Sequence, residues 1–542
     1  MAVTEEPDVL QCINPATGVA YASHPATPAD SVPHVVEDVR HAAVDWAASP
    51  PSARVAAIAA FLDDLARHGE GVAAAIGAAT GKPPATCLDE LLVVAMAGRH
   101  VVGHAAGWLA EEVRYDAIAP GRRAIVRRVP LGVVAVLGAY NFPFNLSLVP
   151  ALSAAAAGNG VVIKVSEVVV GVGVAIESAL AEWGGGALAP IIRVVHGGAA
   201  VGRALTDTVD HAVFVGSVRV GRAVAAAMAA RGKGATLELG GKDPALVVDT
   251  DAAAIASAAA GVARGAFYNG GQMCVGIERC YVVAPAFDAF VDTLVKDVRT
   301  RVKAGHAPPP APGAHPGGVD AFTYGPAICH RQLVHIEAAV TEAIAAGATL
   351  HTGGRRTLDG RCYEPTVLTL PSVEAAKGLK LMAEETFGPV LPIIPVPDED
   401  AAVAAANDSP FGLGAYVWCS DLVRAEAIGR RLRCGGVVTN ETVLQAVISS
   451  VPFGGVGISG LGRVGGREGC LGMTTTNTVI VGRGQTSVEK AWLANYSVKW
   501  RLLRAMYGGR WAAVGAIWET IRHGWAVFRR WWRGERTKGK SD

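Results

Sequence analysis

The chain has 542 residues, of which 51% are hydrophobic and 18% are charged, and its formal net charge at pH 7 is +1. A chain of this length is too long for one ordinary hydrophobic core, so we expect two or three lobes. The balanced charge gives the average surface no excess of positive potential, so we expect no nucleic-acid partner.

The cysteines and the chain start bear on the compartment. Nine cysteines are scattered through the sequence without a CxxC pair. This pattern is untypical of a disulfide framework and of a cysteine-based zinc site, so we expect a reducing compartment and no metal. The acidic start MAVTEEPDVL predicts no signal or transit peptide, and we expect a cytoplasmic location. The uncharged stretch 142–163 is interrupted by proline and glycine, which predicts buried elements rather than a membrane span.

A repeated pattern of strand, glycine-bearing turn and Ala-rich helix begins near residue 128. The strand-and-turn segments are GVVAVLGAYNFP, VVIKVSE and HAVFVGS. The helical segments are LSLVPALSAAAAGN, GVGVAIESALAEW and RVGRAVAAAMAARG. This alternation predicts a parallel sheet with helices on both faces and ligands at the carboxyl ends of its strands.

Further along the chain, TLELGGKDPALVV begins a second α/β region. Within it, the segment 307–318 is so rich in proline and glycine that it predicts a surface loop. Residues 114–128 and 476–482 predict peripheral strands.

The last fifty residues differ in composition from the rest of the chain. Seven of the eleven tryptophans lie beyond residue 490. A helix here would carry one aromatic and aliphatic face formed by Trp511, Val514, Trp518, Ile521, Trp525, Phe528 and Trp532. Arginines flank this face, which is typical of a helix lying in a membrane interface. A helix docked on the protein's own surface and a seam between subunits remain alternatives.

One cysteine, Cys274 in FYNGGQMCVG, has surroundings that suit a nucleophile. A thiol attacks a carbonyl as the thiolate, and glycine neighbours leave room for a substrate and let backbone N–H groups face an oxyanion. Most lone cysteines are small buried hydrophobes, which is the alternative here.

Three other segments supply groups that such a nucleophile needs. Glu238 in LELGGK is an isolated carboxylate among apolar residues, where burial would raise its pKa toward that of a general base. Asn141 in GAYNFP follows a predicted strand and could donate its amide to an oxyanion. In EETFGPV, Glu385 could accept from ribose hydroxyls and Phe387 could pack on a flat heterocycle. A surface glutamate, a turn asparagine, a loop acid and a core aromatic are the respective alternatives.

Seven motifs together resemble the NAD(P)-dependent aldehyde dehydrogenase superfamily. They are GAYNFP, GNGVVIKVSE, FVGSVRVG, LELGGK, FYNGGQMC, EETFGPV and PFGGVGISGLGR, in the order found in that family. The resemblance begins near residue 13 and runs to about residue 482. It implies an α/β fold with a Rossmann-type cofactor domain, an α/β catalytic domain and a small β oligomerisation element.

Carried over residue by residue, the resemblance implies that Cys274 is the nucleophile and Glu238 the base. Asn141 and the Cys274 backbone N–H would form the oxyanion hole. The implied cofactor residues are Lys164 and Glu167 at the adenosine ribose, Gly216, Ser217 and Gly221 at the pyrophosphate, and Glu385 and Phe387 at the nicotinamide riboside. We expect NAD rather than NADP, since a 2′-phosphate would face the Glu167 carboxylate.

The resemblance also implies domain boundaries and partners. The cofactor domain would comprise residues 1–111 and 133–240, the catalytic domain 241–470, and the oligomerisation strands 112–132 and 471–485, leaving 486–542 as the tail. A homodimer or homotetramer is expected. Because some fatty aldehyde dehydrogenases carry a membrane-associated C-terminal extension, a lipophilic aldehyde and a peripheral position on the cytoplasmic face of a membrane are expected too.

Three departures from the family pattern stand out: Val165 where relatives have proline, a separation of 36 residues between Glu238 and Cys274 (274 minus 238) that is slightly long, and Val464 where many relatives have glutamate. None of them changes the proposed attacking atoms. A coenzyme A acylating dehydrogenase and a catalytically silent, membrane-bound scaffold remain the alternative functions.

Overall fold

The computed structural model describes residues 8–115, 122–305 and 322–482, together with Trp500. The predicted loop 307–318 and, apart from Trp500, the predicted tail 486–542 lie outside the described residues. The chain divides into two compact units, one formed by residues 1–110 and 128–475 and the other by residues 111–127 and 476–542.

The first part of the chain is mainly helical. Its elements are β1 (Val9–Ile13), β2 (Ala20–Pro25), α1 (Val32–Ala48), α2 (Pro51–His68), α3 (Glu70–Thr80), α4 (Pro84–Trp108) and β3 (Glu112–Arg114). The strands β1 and β2 pair antiparallel. Proline opens both α2 and α4, where its missing N–H costs no hydrogen bond. Gly81, in the left-handed conformation with φ +67°, ends α3.

The next part alternates strand and helix. Its elements are β4 (Arg123–Pro130), β5 (Val133–Leu137), α5 (Asn145–Ala156), β6 (Gly160–Lys164), α6 (Val170–Glu182), β7 (Ile192–Val195), α7 (Ala199–Thr206), β8 (His211–Val215), α8 (Val218–Ala230) and β9 (Gly234–Glu238). The predicted strands and helices of this region are all present, and β7 and α7 are additional.

The last part holds the second α/β region. Its elements are β10 (Asp243–Val247), α9 (Ala252–Phe267), β11 (Ile277–Val283), α10 (Phe287–Arg301), β12 (Val302–Ala304), β13 (Phe322–Tyr324), α11 (His330–Ala345), β14 (Thr349–Thr352), β15 (Arg356–Thr357), β16 (Cys362–Tyr363), β17 (Thr366–Thr369), α12 (Val373–Ala376), α13 (Lys380–Ala383), β18 (Val390–Val396), α14 (Glu399–Asn407), β19 (Gly414–Trp418), α15 (Leu422–Gly429), β20 (Gly436–Thr439), α16 (Leu444–Val447), β21 (Gly460–Leu461), α17 (Gly466–Gly472) and β22 (Thr474–Val481). Short 3-10 turns occur at Glu167–Val169, Trp183–Gly186, Tyr268–Gly271, Ala284–Ala286 and Gly457–Ser459.

The first sheet has six strands in the order β21-β9-β8-β5-β6-β7. Strands β9 through β7 run parallel, and β21 pairs antiparallel with β9. Every residue of β5, β6 and β8 is buried, which explains their continuous runs of valine and isoleucine. Helices cover the sheet, so the turns that follow its strands are the places where polar side chains can gather.

The second sheet has seven strands in the order β14-β17-β18-β11-β10-β19-β20. All neighbours are parallel except β14 and β17. The register aligns the first residues of its central strands, because Asp243 pairs with Ile277 and Thr366 pairs with Val390. The amino ends of β10, β11, β17 and β18 therefore form one edge.

A third, smaller sheet has the order β22-β4-β3. It includes most of the residues predicted as peripheral strands, and Arg127 Nε donates to Asn477 Oδ1 across it at 2.9 Å. Val479, Ile480 and Val481 of β22 are exposed.

Among the described residues, one helical stretch, Glu167–Gly186, is long and apolar enough to cross a membrane by length and composition. It contains α6, the crossover between β6 and β7. Val172, Ile176 and Leu180 of α6 belong to the buried core that also includes β6 residues Val161 and Ile163. Packing against the sheet accounts for this apolar sequence. The stretch 142–163 likewise forms the buried helix α5 and strand β6.

Candidate active site

A short connection joins the two large sheets. It places the carboxyl edge of the first sheet next to the amino edge of the second. The chain leaves the carboxyl end of β9 at Glu238 and enters the amino end of β10 at Asp243. Gly240 and Gly241 lie in this connection. The carboxyl edge of the first sheet and the amino edge of the second therefore both border the LELGGK segment, and the predicted site residues follow these two edges.

Cys274 lies in the turn just before β11, between the buried residues Met273 and Val275. The residue is partly buried and its thiol is free. The sulfur-bearing residue belongs to an apolar cluster in which Met273, Val275 and Leu413 are buried. The partly buried hydrophobic members of this cluster besides Cys274 are Phe142, Tyr268, Val443, Ala446 and Phe453. The nucleophile predicted from the sequence is neither sealed in a core nor fully exposed.

Asn141 follows β5 and is 3% exposed. Its Nδ2 donates to the Gln272 carbonyl at 3.1 Å. Asn269, at φ +53°, also donates to the Gln272 carbonyl, at 3.2 Å. The Asn141 amide is thus held against the turn that carries Cys274.

Glu238 is the last residue of β9 and is 4% exposed. Neither carboxylate oxygen has a hydrogen-bond partner among the described residues. Burial raises the pKa of Glu238 well above its ordinary value, and the charge of Arg463 offsets part of this rise. A buried carboxyl group without partners can take up and release a proton, which a fully hydrogen-bonded one cannot do easily.

Glu385 and Phe387 lie in the loop before β18. The Glu385 carboxylate approaches the connection between the sheets so closely that a Cβ on Gly240 would lie 2.1 Å from its Oε2. Gly241 N–H donates to Glu385 Oε1 at 3.2 Å. Phe387, in the left-handed conformation with φ +49°, contacts the Tyr140 ring edge-on at 5.9 Å between centroids. The LELGGK glycines therefore make room for this loop.

A buried ion pair that the sequence analysis missed holds this loop. Lys242 Nζ donates to Glu278 Oε2 at 2.6 Å and to Thr386 Oγ1 at 2.9 Å. Glu278 also accepts from the backbone N–H groups of Thr386 and Phe387, at 2.7 and 2.8 Å. Both charged side chains are almost fully buried. The charged pair ER within the apolar run VGIERCYVV is the signal that could have drawn attention to Glu278.

The thiol is surrounded by carboxyl groups. Burial raises the pKa of Cys274 above its ordinary value, and the charges of Glu385, Asp243 and Glu238 raise it further. Burial and the neighbouring Glu278 also raise the pKa of Glu385. These effects mean that the thiol needs a base to become a thiolate.

The predicted cofactor residues follow successive strands of the first sheet. Lys164 ends β6, and its Nζ lies 3.5 Å from Glu167 Oε2 and 2.9 Å from the Val165 carbonyl. Ser217 caps α8 by accepting from Val220 N–H. These groups place the exposed Glu167 and the N-terminus of α8, capped by Ser217, at one edge of the sheet. Such an edge is the kind of arrangement that binds a nucleotide's ribose and phosphates.

The glycine predicted at the pyrophosphate has a steric reason to be glycine. A Cβ on Gly221 would lie 2.4 Å from Leu239 Cδ2, so a larger residue would push α8 away from the connection after β9. Gly216 lies in the turn between β8 and α8. The residues present therefore fit a dinucleotide lying along the carboxyl edge of the first sheet.

The fold and the site first define a class of protein. A parallel nucleotide-type sheet carries, at its carboxyl edge, an amide and a buried carboxyl group that has no hydrogen-bond partner among the described residues. It is joined to a second sheet whose amino edge carries a partly buried thiol. This is the architecture of an oxidoreductase that takes a dinucleotide on one sheet and its substrate on the other.

Comparison with known proteins gives the family. The family model described as aldehyde dehydrogenase family matches residues 2–479. A 4,4'-diapolycopene aldehyde oxidase from Methylomonas sp. is 37% identical over 377 residues, covering 69% of this chain and 66% of the relative. A putative succinate-semialdehyde dehydrogenase (NADP(+)) from Mycolicibacterium smegmatis is 33% identical, covering 86% of this chain and 87% of the relative. The chain belongs to the aldehyde dehydrogenase family.

Solved structures agree with this assignment. An aldehyde dehydrogenase from Mycobacterium tuberculosis complexed with NAD+ has a TM-score of 0.79 at 31% identity, covering 88% of this chain and 96% of that structure. An NADP-dependent enzyme from E. coli has a TM-score of 0.80 at 28% identity, covering 88% and 95%. The predicted fold class and the prediction of an NAD(P)-linked aldehyde dehydrogenase are confirmed. The relatives' names include both cofactors, so the choice between NAD and NADP stays a prediction.

Proposed function

We propose that this protein oxidises a lipophilic aldehyde to its carboxylic acid with NAD, through a thioester on Cys274. The observation that carries the proposal is that the LELGGK segment, which bears Glu238, packs against both the Cys274 turn and the Glu385 carboxylate. A Cβ on Gly241 would lie 2.4 Å from the Cys274 carbonyl oxygen, and a Cβ on Gly240 would lie 2.1 Å from Glu385 Oε2. The nearby Asn141 amide completes the set. The proposed domains follow the two sheets, with 1–111 and 133–240 for the cofactor and 241–470 for catalysis.

The residues divide the reaction as follows. The Cys274 thiol gives its proton to solvent, and its sulfur forms a bond to the carbonyl carbon. Asn141 Nδ2 and the Cys274 backbone N–H stabilise the oxyanion of the resulting thiohemiacetal. Lys164, Glu167, Glu385 and Phe387 would hold NAD, which would supply the acceptor for the hydride of this carbon, so that Cys274 would be left as a thioester. Glu238 then removes a proton from water as its oxygen attacks, and the carbon–sulfur bond breaks to release the acid and the thiolate.

The unpaired Glu238 favours water as the acyl acceptor over coenzyme A. A buried base beside the thioester activates water, whereas transfer to another thiol has no need of it. We expect acid and NADH to form in equal amounts without coenzyme A. A strict requirement for coenzyme A would show that the acylating alternative is right. No NADH formation with any aldehyde would favour the catalytically silent scaffold instead.

The choice of NAD rests on Glu167, whose side chain is 54% exposed beside Lys164. Its carboxylate can accept from a free ribose 2′-hydroxyl but would repel a 2′-phosphate. We expect kcat/KM to be at least about tenfold higher with NAD than with NADP, a difference of about 1.4 kcal/mol. Glu167→Gln should lower the ratio of kcat/KM with NAD to kcat/KM with NADP. A wild-type preference for NADP would overturn the assignment.

The lipophilic substrate is proposed from the apolar cluster around Cys274. Its members are aromatic and aliphatic, with Phe142, Tyr268 and Phe453 partly buried. The semialdehyde of a dicarboxylic acid would place its one carboxylate among these groups, at a cost in desolvation. The relative named for a diapolycopene aldehyde fits this choice. The test is a chain-length series of aldehydes, in which kcat/KM should rise with length, while a maximum at succinic semialdehyde would contradict it.

The tail and the assembly are proposed from the sequence. We expect the segment 486–542 to hold the protein peripherally on the cytoplasmic face of a membrane, and the strands in 112–132 and 471–485 to join two or four subunits. Full-length protein should float with anionic liposomes, and a variant truncated after Gln485 should remain in the soluble fraction. Equal flotation of both proteins, or flotation of neither, would remove the anchoring role.

A further inference from the structure

A cluster of metal-binding side chains lies away from the thiol, at the outer edge of the first sheet. His24 is on β2, Glu177 is on α6, and His196 directly follows β7. One ligand atom from each residue lies within 4.8 Å of those from the other two. The three residues are far apart in the chain and were not singled out by their spacing.

The geometry within this cluster suits a shared ion. His196 Nε2 lies 3.2 Å from Glu177 Oε2. Two ligands of a tetrahedral zinc ion, each about 2.0–2.2 Å from the metal, lie roughly 3.3–3.6 Å apart. The rings of His24 and His196 have centroids 4.3 Å apart. Because the three donor atoms lie within 4.8 Å of one another, the partly exposed His24 side chain would have to move to bring them to one ion.

The hydrogen bond of His24 through Nδ1 leaves its other ring nitrogen, Nε2, available to bind a metal. Its Nδ1 lies 2.8 Å from the Pro25 carbonyl. A neutral ring that donates from Nδ1 keeps the lone pair on Nε2 for a metal, and a backbone carbonyl is a usual second partner of a metal-bound histidine.

His196 is held rigidly and is incompletely satisfied. It is 3% exposed, and its Nδ1 is buried without a hydrogen-bond partner among the described residues. Its backbone N–H donates to Thr27 Oγ1 at 2.9 Å, and its carbonyl accepts from Thr27 N–H at 2.7 Å. The ring nitrogen that faces Glu177 is Nε2, so an ion would bind through Nε2, and the buried position of the ring fixes its direction. The Glu177 side chain is 49% exposed, which gives an ion a route from solvent.

We propose that His24, Glu177 and His196 bind one divalent transition-metal ion, and that zinc fits this site best. Two imidazoles and one carboxylate are donors that zinc and its neighbours in the periodic table prefer, whereas magnesium and calcium prefer oxygen ligands. Three protein ligands leave a fourth position for water. The site is separate from Cys274 and does not take part in the proposed oxidation.

The position of this site links it to the cofactor edge. A Cβ on Gly173 would lie 2.7 Å from Val165 Cγ2 and 3.0 Å from His196 Cε1, so the residue after Lys164 and the His196 ring pack on the same spot of α6. A bound ion would fix α6 against β7 beside Lys164. We therefore expect zinc to change the affinity for NAD. This consequence rests on the proposed function, but zinc binding itself does not.

The test is a zinc titration of full-length protein without an affinity tag, after removal of metal by a chelator. A chromophoric chelator reports free zinc, and the Cys274→Ser background removes the reactive thiol as a competing ligand. His24→Gln and Glu177→Gln each remove one donor at a partly or largely exposed position. His41→Gln is the matched control, because His41 forms an exposed pair with Glu37 at 3.1 Å that has no second histidine.

We expect the starting protein and the control to bind zinc with the same affinity, and each donor variant to bind it about 100-fold more weakly. Magnesium should not compete. Cobalt bound to the starting protein should give a visible absorption band that both donor variants lack. If neither variant changes zinc affinity, or if the starting protein has no saturable site, the three residues are a structural hydrogen-bond cluster and the proposal is wrong. Unchanged NAD affinity with zinc bound would overturn only the link to the cofactor edge.

Discussion

The two large sheets of this protein carry their candidate site residues at opposite edges. In the first sheet, polar residues follow the strands: Lys164 ends β6, Ser217 follows β8, and Glu238 ends β9. In the second sheet they precede the strands, since Cys274 comes before β11 and Glu385 before β18. The familiar rule that ligands bind at the carboxyl ends of parallel strands therefore describes only the first sheet.

The connection between the sheets explains this difference. The chain passes directly from the end of β9 to the start of β10 through Gly240 and Gly241, so the carboxyl edge of one sheet meets the amino edge of the other. A cofactor on the first edge and a thiol on the second then lie across a short gap. The two edges also differ in polarity, with the exposed Glu167 on one and the apolar Cys274 cluster on the other.

The largest expected effect is a loss of kcat on changing the thiol at the amino edge of the second sheet. Cys274→Ser should lower kcat by about 10⁴-fold or more, because an alcohol in this apolar cluster is a poor nucleophile and the activity of such a site depends on its covalent step. NADH absorbance measures the loss. Cys419→Ser is the control, since Cys419 follows β19 at the opposite edge of the second sheet and should keep activity within about twofold. Activity above a tenth of wild type in Cys274→Ser would exclude the sulfur as nucleophile.

A smaller effect is expected at the base on the other edge. Glu238→Gln should lower kcat by about 10²–10⁴-fold and trap the thioester, so one NADH per site appears in a burst. In the wild type the rate should fall as pH drops through the raised pKa of Glu238, because the protonated carboxyl cannot accept a proton. Steady-state rates across pH, with Glu182→Gln as an exposed control, check this. Full turnover of Glu238→Gln without a burst of NADH would show that another group is the base.

A third effect is expected at the buried Lys242–Glu278 pair, which holds the loop at the amino edge of the second sheet. Lys242→Met should leave the buried Glu278 carboxylate without its cation and lower the free energy of unfolding by about 3–5 kcal/mol. It should also raise KM for the cofactor, since Glu278 holds the Thr386–Phe387 backbone. Urea denaturation and KM measurements test both effects. The exposed Lys296→Met should change neither, and an equally small effect of Lys242→Met would mean that the pair does not support the loop.

The smallest expected effect concerns stability at Glu238. The folded pKa of this carboxyl lies above its ordinary value of 4.5, so the folded state holds more protons than the unfolded state between the two values. Its contribution to stability therefore falls as pH rises through that window. Glu238→Gln should be more stable than wild type by about 1–3 kcal/mol at pH 8, with a smaller gain at pH 5. Thermal unfolding at both pH values measures it, and a destabilised variant would mean that the carboxylate has partners.

The sequence predicted much of the first sheet because its signals are local. Runs of β-branched residues gave β5, β6 and β8, since strands buried on both faces are apolar throughout. Glycine-bearing turns and Ala-rich segments gave the helices between them. The strand β7 was missed, because the short segment IRVV carries an arginine and gives a weak pattern.

Each site residue could be recognised from its own motif. The contacts between these residues could not be predicted from the motifs. Neither LELGGK nor EETFGPV predicts that the Glu385 carboxylate lies close to Gly240. That contact depends on the packing of two segments more than a hundred residues apart. The Lys242–Glu278 pair and the His24, Glu177 and His196 cluster have the same origin. Hydrogen bonds and burial between distant segments exist only after the chain has folded.

The sequence by itself thus determined which groups the protein has: a thiol in a glycine-rich turn, a carboxyl among apolar residues, and the alternation that builds parallel sheets. Only the tertiary structure decided which of them are paired. Glu238 and Glu278 are both buried glutamates. Within the part of the chain that the structure describes, Glu238 has no hydrogen-bond partner, whereas Glu278 accepts from Lys242 and two backbone N–H groups. The physical reason is that proton affinity depends on the local environment, and that environment is made by residues distant in the chain.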